Sequence, residues 1–158
     1  MSAAIYPGTF DPITLGHADI IRRAVGLFDR LLVAVAASPG KAPLFDLEQR
    51  LELIRAVVGH HPQVEVQAFS GLLVDLARQR DIPVILRGVR TGSDFEYEHQ
   101  LANVYRRLNP DLEILFLSPR EQYACISSSF VREIAALGGN LSSFVHPVVQ
   151  AALSARFS

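Results

Sequence analysis

A chain of 158 residues, 49% of them apolar and with a formal charge of −1, is long enough for one domain with its own core. That balance excludes a disordered chain and a general binder of nucleic acid or of membrane surfaces, either of which would show a different charge pattern. One cysteine, Cys125, allows no internal disulfide and no multi-cysteine metal centre, so a reducing, cytoplasmic setting is expected. The sequence opens on no charged-then-apolar leader and holds no apolar run near the roughly 18 residues of a span, so neither export nor membrane insertion is expected.

Apolar, β-rich runs alternate with helical patterns along the chain. The run from Ala3 ends in a Gly-containing loop, and beyond His17 the residues Ile20, Ile21, Ala24, Val25 and Phe28 recur at helical spacing. Arg30 to Ala37 reads as a fully buried strand. Ser38 to Pro43 is a loop, and Asp46 with Gln49 forms a capping box for a helix whose core face carries Leu47, Leu51, Ile54 and Val58. Val64 to Phe69 alternates as a half-exposed strand, and Ser70-Gly71 opens a helix through Leu73, Leu76 and Ala77. Pro83 to Leu86 is a short buried strand ending in Arg87-Gly88-Val89-Arg90-Thr91-Gly92. A long helix follows to about Leu108, with Tyr97, Leu101, Val104 and Leu108 on one face. Leu112 to Leu117 is the last strand. Ile126 to Ser129 leads into a helix ended by Gly138-Gly139, and a final helix spans roughly Ser143 to Ala155 with Pro147 in its first turn. This alternation predicts a single α/β domain over residues 1–158: a Rossmann-like, five-stranded parallel sheet flanked by helices, with right-handed crossovers.

Ligands of such sheets bind beyond the carboxyl ends of the strands. Four of those ends carry groups suited to phosphate: Thr9 and His17; Lys41; Arg87, Gly88 and Arg90; and Ser127, Ser128 and Ser129 at a helix start. Singly, each has an ordinary reading as a turn, a solvated cation, a snorkelling arginine or a helix cap. Together, three long cations and a histidine beside two helix N-termini describe a polyphosphate site, because helix starts present free N–H groups and a positive dipole end. Gly8 and Gly16 would let the backbone approach a phosphate closely. The first loop is neither a G-x-x-x-x-G-K-[ST] nor a G-x-G-x-x-G phosphate loop.

That first loop reads G-T-F-D-P-x-T-x-G-H, and its Thr14-Leu15-Gly16-His17 resembles the (H/T)-x-G-H hallmark of the nucleotidylyltransferase superfamily. With A-A-S-P-x-K at Ala36 to Lys41, R-G-V-R at Arg87 to Arg90, D-F-E-Y-E at Asp94 to Glu98 and I-S-S-S-x-V-R-E at Ile126 to Glu133, nearly the whole chain resembles the phosphopantetheine adenylyltransferases. The resemblance implies transfer of an adenylyl group from ATP, with Mg²⁺ carried on the ATP phosphates and no metal ligand of the protein's own, to 4′-phosphopantetheine. The products are dephospho-coenzyme A and pyrophosphate, in the penultimate step of coenzyme A synthesis. It implies that Thr9, Lys41 and Arg87 hold the 4′-phosphopantetheine, with Leu73 on the pantetheine arm and Glu133 near it. ATP would be held by Thr9, Phe10, His17, Gly88, Val89, Arg90 and Glu98, and by Tyr123, Ala124, Cys125, Ile126, Ser127, Ser128 and Ser129. His17 would stabilise the transition state, and the assembly would be a homohexamer. Gly71 stands where related sequences often carry a polar or acidic residue.

Other residues have plain readings. His60 and His61 precede Pro62 with no acidic or cysteine partner at ligand spacing. His99 and His146 read as structural, Cys125 as a packing residue and Asp11 as a turn former. Glu98 reads either as a helix-surface charge or as an acceptor for ATP. Two rivals stand beside this reading. One is a sister enzyme acting on nicotinamide mononucleotide or transferring a cytidylyl group; the latter carry a first His at the place of Thr14 and an R-x-x-G-I-S-T-T, both missing here. The other is a stress-protein-like module that binds ATP without turnover. It needs no second anion site, and Lys41 with Arg87 argues against it.

Overall fold

The computed structural model describes residues 1–158 and has five strands in one wholly parallel sheet, in the order β3-β2-β1-β4-β5. The strands are β1 (Ala3–Gly8), β2 (Arg30–Ala36), β3 (Val64–Phe69), β4 (Val84–Gly88) and β5 (Glu113–Leu117). The helices are α1 (Leu15–Val25), α2 (Leu47–Val58), α3 (Leu73–Arg80), α4 (Gly92–Leu108), α5 (Ser128–Ala136) and α6 (Pro147–Phe157). No helix is long and apolar enough to cross a membrane.

Alternation within the central strands builds two cores. Ala4 and Tyr6 of β1 and Leu31, Val33 and Val35 of β2 face the larger one, shared with α1, α2, α5 and α6. Ile5, Leu32 and Ala34 face the smaller one, under α3 and α4. Strands buried on both faces read as continuous apolar runs, as β2 does. On α4 only Glu98 and Ala102 are fully buried; Tyr97, Val104 and Leu108 face solvent in the single chain.

Three boundaries differ from the sequence expectation. β4 continues through Arg87 and Gly88, because these residues pair with Phe116 and Leu117 of β5 and Val89 donates to the Leu117 carbonyl at 2.9 Å. α1 starts at Leu15, with Thr14 as its cap. α6 starts at Pro147: His146 is the cap, its Nδ1 accepting from the Val148 N–H at 3.1 Å, and residues 142–144 form a turn. Proline fits the first helical position because it has no N–H to lose there.

Strand order reverses at β1. β2 and β3 lie on one side of it, β4 and β5 on the other. β1 pairs with β2 at six positions but with β4 at one, Ile5 with Ile85. The sheet therefore opens between the carboxyl ends of β1 and β4, the switch point where open α/β sheets bind ligands.

Candidate active site

A cleft of about 240 Å³ occupies that opening. Its walls include Pro7 and Gly8 of β1, Thr14, Gly16 and His17 at the start of α1, and Arg87, Gly88 and Arg90 at the end of β4. Tyr123, Ile126, Ser127 and Ser128 close it from the last loop. Of the residues expected to meet at one mouth, His17, Arg87 and Arg90 do so; Thr9 and Lys41 do not line the cleft. Lys41 is exposed in the β2–α2 loop, and Thr9 is half-buried directly after Gly8.

His17 is fixed by the helix it helps to start. Thr14 Oγ1 accepts from the His17 N–H at 3.3 Å, while His17 Nδ1 accepts from the Thr14 N–H at 3.0 Å, a reciprocal capping box. A backbone N–H can only donate, so Nδ1 is the unprotonated nitrogen, and the neutral ring carries its proton on Nε2. Burial, with the charge of Arg90 adding to it, pushes the His17 pKa down to about 4. The imidazole is therefore neutral near pH 7, with an Nε2–H that has no protein acceptor and stands in the wall of the cleft. The Phe10 ring packs on it at 4.9 Å between centroids. Phe10 itself has φ +52°, a left-handed backbone that costs a bulky residue on the order of 1–2 kcal/mol. Burial of its ring against Tyr6 and His17 offsets that strain.

Arg87 and Glu98 form a bidentate pair, Nε and Nη2 each 2.7 Å from a carboxylate oxygen. Burial disfavours the Arg87 charge, but Glu98 outweighs it and the guanidinium stays charged. Glu98 is not the surface charge of the plainer reading: it is 7% exposed, and each oxygen accepts from Arg87 away from the cleft wall, so it orients that arginine. Buried Tyr6, which sequence reasoning passed over, lines the cleft beside Arg87; burial raises its pKa far above the phenol range, with Arg87 opposing. Arg90 reaches the cleft and pairs with Asp94 at 3.4 Å.

The last loop brings Tyr123, Ile126, Ser127 and Ser128 to the cleft, while Ala124, Cys125 and Ser129 stand outside its lining. Ser127 caps α5 by accepting from the Phe130 N–H at 3.1 Å, and Ser128 Oγ donates to the Pro12 carbonyl at 2.8 Å. The start of α5 is thus aimed at the cleft and locked to the first loop. Asp19, one turn along α1, anchors the other end of this loop. Its buried carboxylate accepts from Arg22 at 2.8 Å, Arg23 at 3.3 Å and the Arg120 N–H at 3.2 Å, and Arg23 also donates to the Ser118 carbonyl at 2.6 Å. Burial raises the Asp19 pKa, but these donors outweigh it and hold the carboxyl below its usual range.

Three further expectations change. Leu73 is 7% exposed and packs into the smaller core, so it is not a cleft contact. Gly8 is small for the protein's own sake, since a Cβ there would lie 3.0 Å from the Phe10 ring. At Gly16, which lines the cleft, the nearest atoms to a Cβ would be Thr14 Oγ1 at 3.5 Å and the Tyr123 carbonyl at 3.8 Å, ordinary contacts, so the protein's own packing does not require glycine there. Asp11 is more than a turn former: it is 4% exposed and accepts from the Leu44 and Phe45 N–H groups at 2.8 and 2.9 Å. Glu133 is exposed on α5, and Val89 spends its N–H on β5.

Residues 5–134 match the family model described as Cytidylyltransferase-like. Among solved structures, a protein described as a nicotinate-nucleotide adenylyltransferase of Vibrio parahaemolyticus is 17% identical, with a TM-score of 0.72 over 98% of this chain and 93% of that one. The Plasmodium falciparum nicotinic acid mononucleotide adenylyltransferase, solved with NaAD, is 14% identical with a TM-score of 0.70, over 98% and 95% of the two chains. A lipopolysaccharide core biosynthesis protein of Thermoplasma volcanium is 25% identical with a TM-score of 0.58, over 77% and 99%. At 14–17% identity, the likeness to the first two carries the fold alone.

Proposed function

The chain belongs to the cytidylyltransferase-like family, and on that premise we propose that it transfers the adenylyl group of ATP to 4′-phosphopantetheine, giving dephospho-coenzyme A and pyrophosphate. Nucleotidyl transfer is the part that family and fold support; the acceptor rests on the sequence motifs at Ala36 to Lys41, Arg87 to Arg90 and Ile126 to Glu133. The observation that carries the reading is the state of His17: a neutral ring, its tautomer pinned by Thr14, with its one free N–H in the same cleft as Arg87, Arg90 and the start of α5.

A phosphate monoester has a second pKa near about 6, so the acceptor is already mostly dianionic at neutral pH and needs no general base. One of its oxygens attacks the α-phosphorus of ATP in line. The new P–O bond forms as the bond to the β-phosphate breaks, and pyrophosphate leaves with the electron pair. Catalysis is then positioning plus electrostatics. Arg87, aimed by Glu98, and the first loop at Thr9 receive the acceptor phosphate, with Lys41 on the neighbouring loop. Arg90 and the α5 start receive the β and γ groups, and the His17 Nε2–H donates to the α-phosphate oxygen on which charge builds. Mg²⁺ would enter as part of the nucleotide substrate, carried on the ATP phosphates. A homohexamer in the cytoplasm completes the proposal, with the outward apolar residues of α4 available for contact between copies.

A second reading has its own support: two of the fold relatives are described as adenylyltransferases of nicotinate nucleotides. One assay separates the two. The chain is supplied with ATP, Mg²⁺ and one acceptor at a time, and pyrophosphate release is followed. Release with 4′-phosphopantetheine alone is expected. Release with nicotinate mononucleotide instead would transfer the assignment to that acceptor, and ATP binding without release for any acceptor would favour a regulatory module.

A further inference from the structure

Arg50 lies on the first turn of α2 and is 1% exposed, the largest of the fully buried side chains. None of the nine salt bridges of the chain includes it. Its fork donates only to main-chain carbonyls: Nε to Phe45 at 3.1 Å, and Nη1 to Thr9 at 3.0 Å and Ala36 at 2.8 Å. Thr9 follows β1 and Ala36 ends β2, so the guanidinium sits under the carboxyl ends of two neighbouring strands.

This placement is costly on two counts. A charge withdrawn from water loses several kcal/mol of solvation unless an anion compensates it. Carbonyl dipoles satisfy Nε and Nη1 but leave the net charge in place. The first turn of a helix is also the wrong end for a cation, since the macrodipole is positive there. A charge in a low-dielectric interior is weakly screened, so its field persists at the surface immediately above. The surface above is Thr9, with Lys41 on the loop that leaves Ala36.

We infer that Arg50 is a positioning residue of the acceptor site: it fixes the Thr9 and Ala36 main chain from below, and its charge, held in no ion pair, draws a phosphate monoester to the rim at Thr9. Asp11 completes the support by binding the Leu44 and Phe45 N–H groups, which ties the loop after Lys41 to the loop of Thr9. The inference rests on the acceptor phosphate seating at Thr9, and the test separates the two claims.

Arg50→Gln removes the charge and keeps a donor; Arg50→Lys keeps the charge and loses the fork. KM for 4′-phosphopantetheine and for ATP is measured for each, with inorganic phosphate titrated into each as an independent anion probe by calorimetry. For Arg50→Gln the acceptor KM is expected to rise at least about tenfold while that for ATP moves less than about twofold, and Arg50→Lys to fall between this variant and the wild type. Phosphate affinity should drop in the same order. A residue that only held the fold would move both KM values together, or only the melting temperature, and either result overturns the inference. If Arg50→Gln does not fold, Arg50→Lys decides alone: an acceptor KM unchanged or raised only in step with that for ATP rejects the proposal. If the wild type binds phosphate in an Arg50-dependent way yet rejects 4′-phosphopantetheine, the acceptor assignment falls and the role of Arg50 stands.

Discussion

On the β1–β2 side of His17, the loops are tied by charges sealed from water. Asp11 and Arg50 are 4% and 1% exposed and bind only main-chain groups across the gap between the first and second loops, apart from a distant approach of Arg132 to Asp11. On the β4–β5 side, apart from the buried Arg87–Glu98 pair, the ties are ion pairs whose cations reach solvent: Arg23 and Arg120 on Asp19, Arg90 on Asp94. Buried main-chain ties do not weaken with salt and do not rearrange without breaking the fold; partly exposed pairs do both more readily. The first side is suited to presenting one fixed anion, the second to closing over a larger ligand with several phosphates. The contrast predicts that changes to the sealed ties, Arg87–Glu98 included, are felt by the acceptor, and changes to the partly exposed pairs by the nucleotide.

His17 stands between the two sides, and its removal should have the largest effect. His17→Ala is expected to cut kcat by about 10² or more, the usual cost of one oxyanion-type donor, with a milder change in ATP affinity. A kcat within a few-fold of wild type would remove the residue from the chemistry. Next is Arg87→Ala, which strips Glu98 of its partner and leaves a buried carboxylate uncompensated. Chemical denaturation should show a loss of about 3–5 kcal/mol, and calorimetry a weakened acceptor. Full stability would mean that Glu98 finds another partner, and unchanged acceptor affinity would take Arg87 out of that site. Asp19→Asn should act through the partly exposed ties: KM for ATP is expected to rise several-fold, up to about tenfold, as the Ser118–Tyr123 loop loosens, with the acceptor KM unmoved. Equal shifts for both substrates would erase the division drawn above.

The smallest effect is a titration. His17 is held neutral down to about 4, against an unperturbed value near about 6.5. Between those values the unfolded chain binds the proton and the folded chain does not. This residue's contribution to stability is therefore whole above about pH 6.5 and declines as pH falls toward 4. NMR of the ligand-free protein should show no His17 midpoint between pH 5.5 and 8; a midpoint near 6.5 would mean that the ring is not buried as described.

Much of this was readable from residues alone, for local reasons. Alternation marked β3, continuous apolar runs marked β2 and β4, helical spacing marked the helices after His17 and Asp46, and the Gly-containing first loop marked the turn into α1. Lys41 and Thr9 were assigned to the right edge of the sheet, but an edge does not say which side chains turn into a cleft. The buried polar groups escaped because their partners are main-chain atoms or remote residues: Glu98 meets Arg87 across eleven positions, and Asp11 meets Phe45 across thirty-four. One signal was present and passed over. Arg50 falls among Leu47, Leu51 and Ile54 on the apolar stripe of α2, and a charge on a core face asks for an explanation.

The reciprocal bonds between Thr14 and His17 carry one last consequence. The imidazole proposed to donate to the reacting phosphate is also the piece that closes the first turn of α1. A molecule in which that turn has frayed cannot hold Nε2 on target, so it falls silent instead of acting wrongly. Activity at this residue thus doubles as a certificate that the surrounding chain has been assembled correctly.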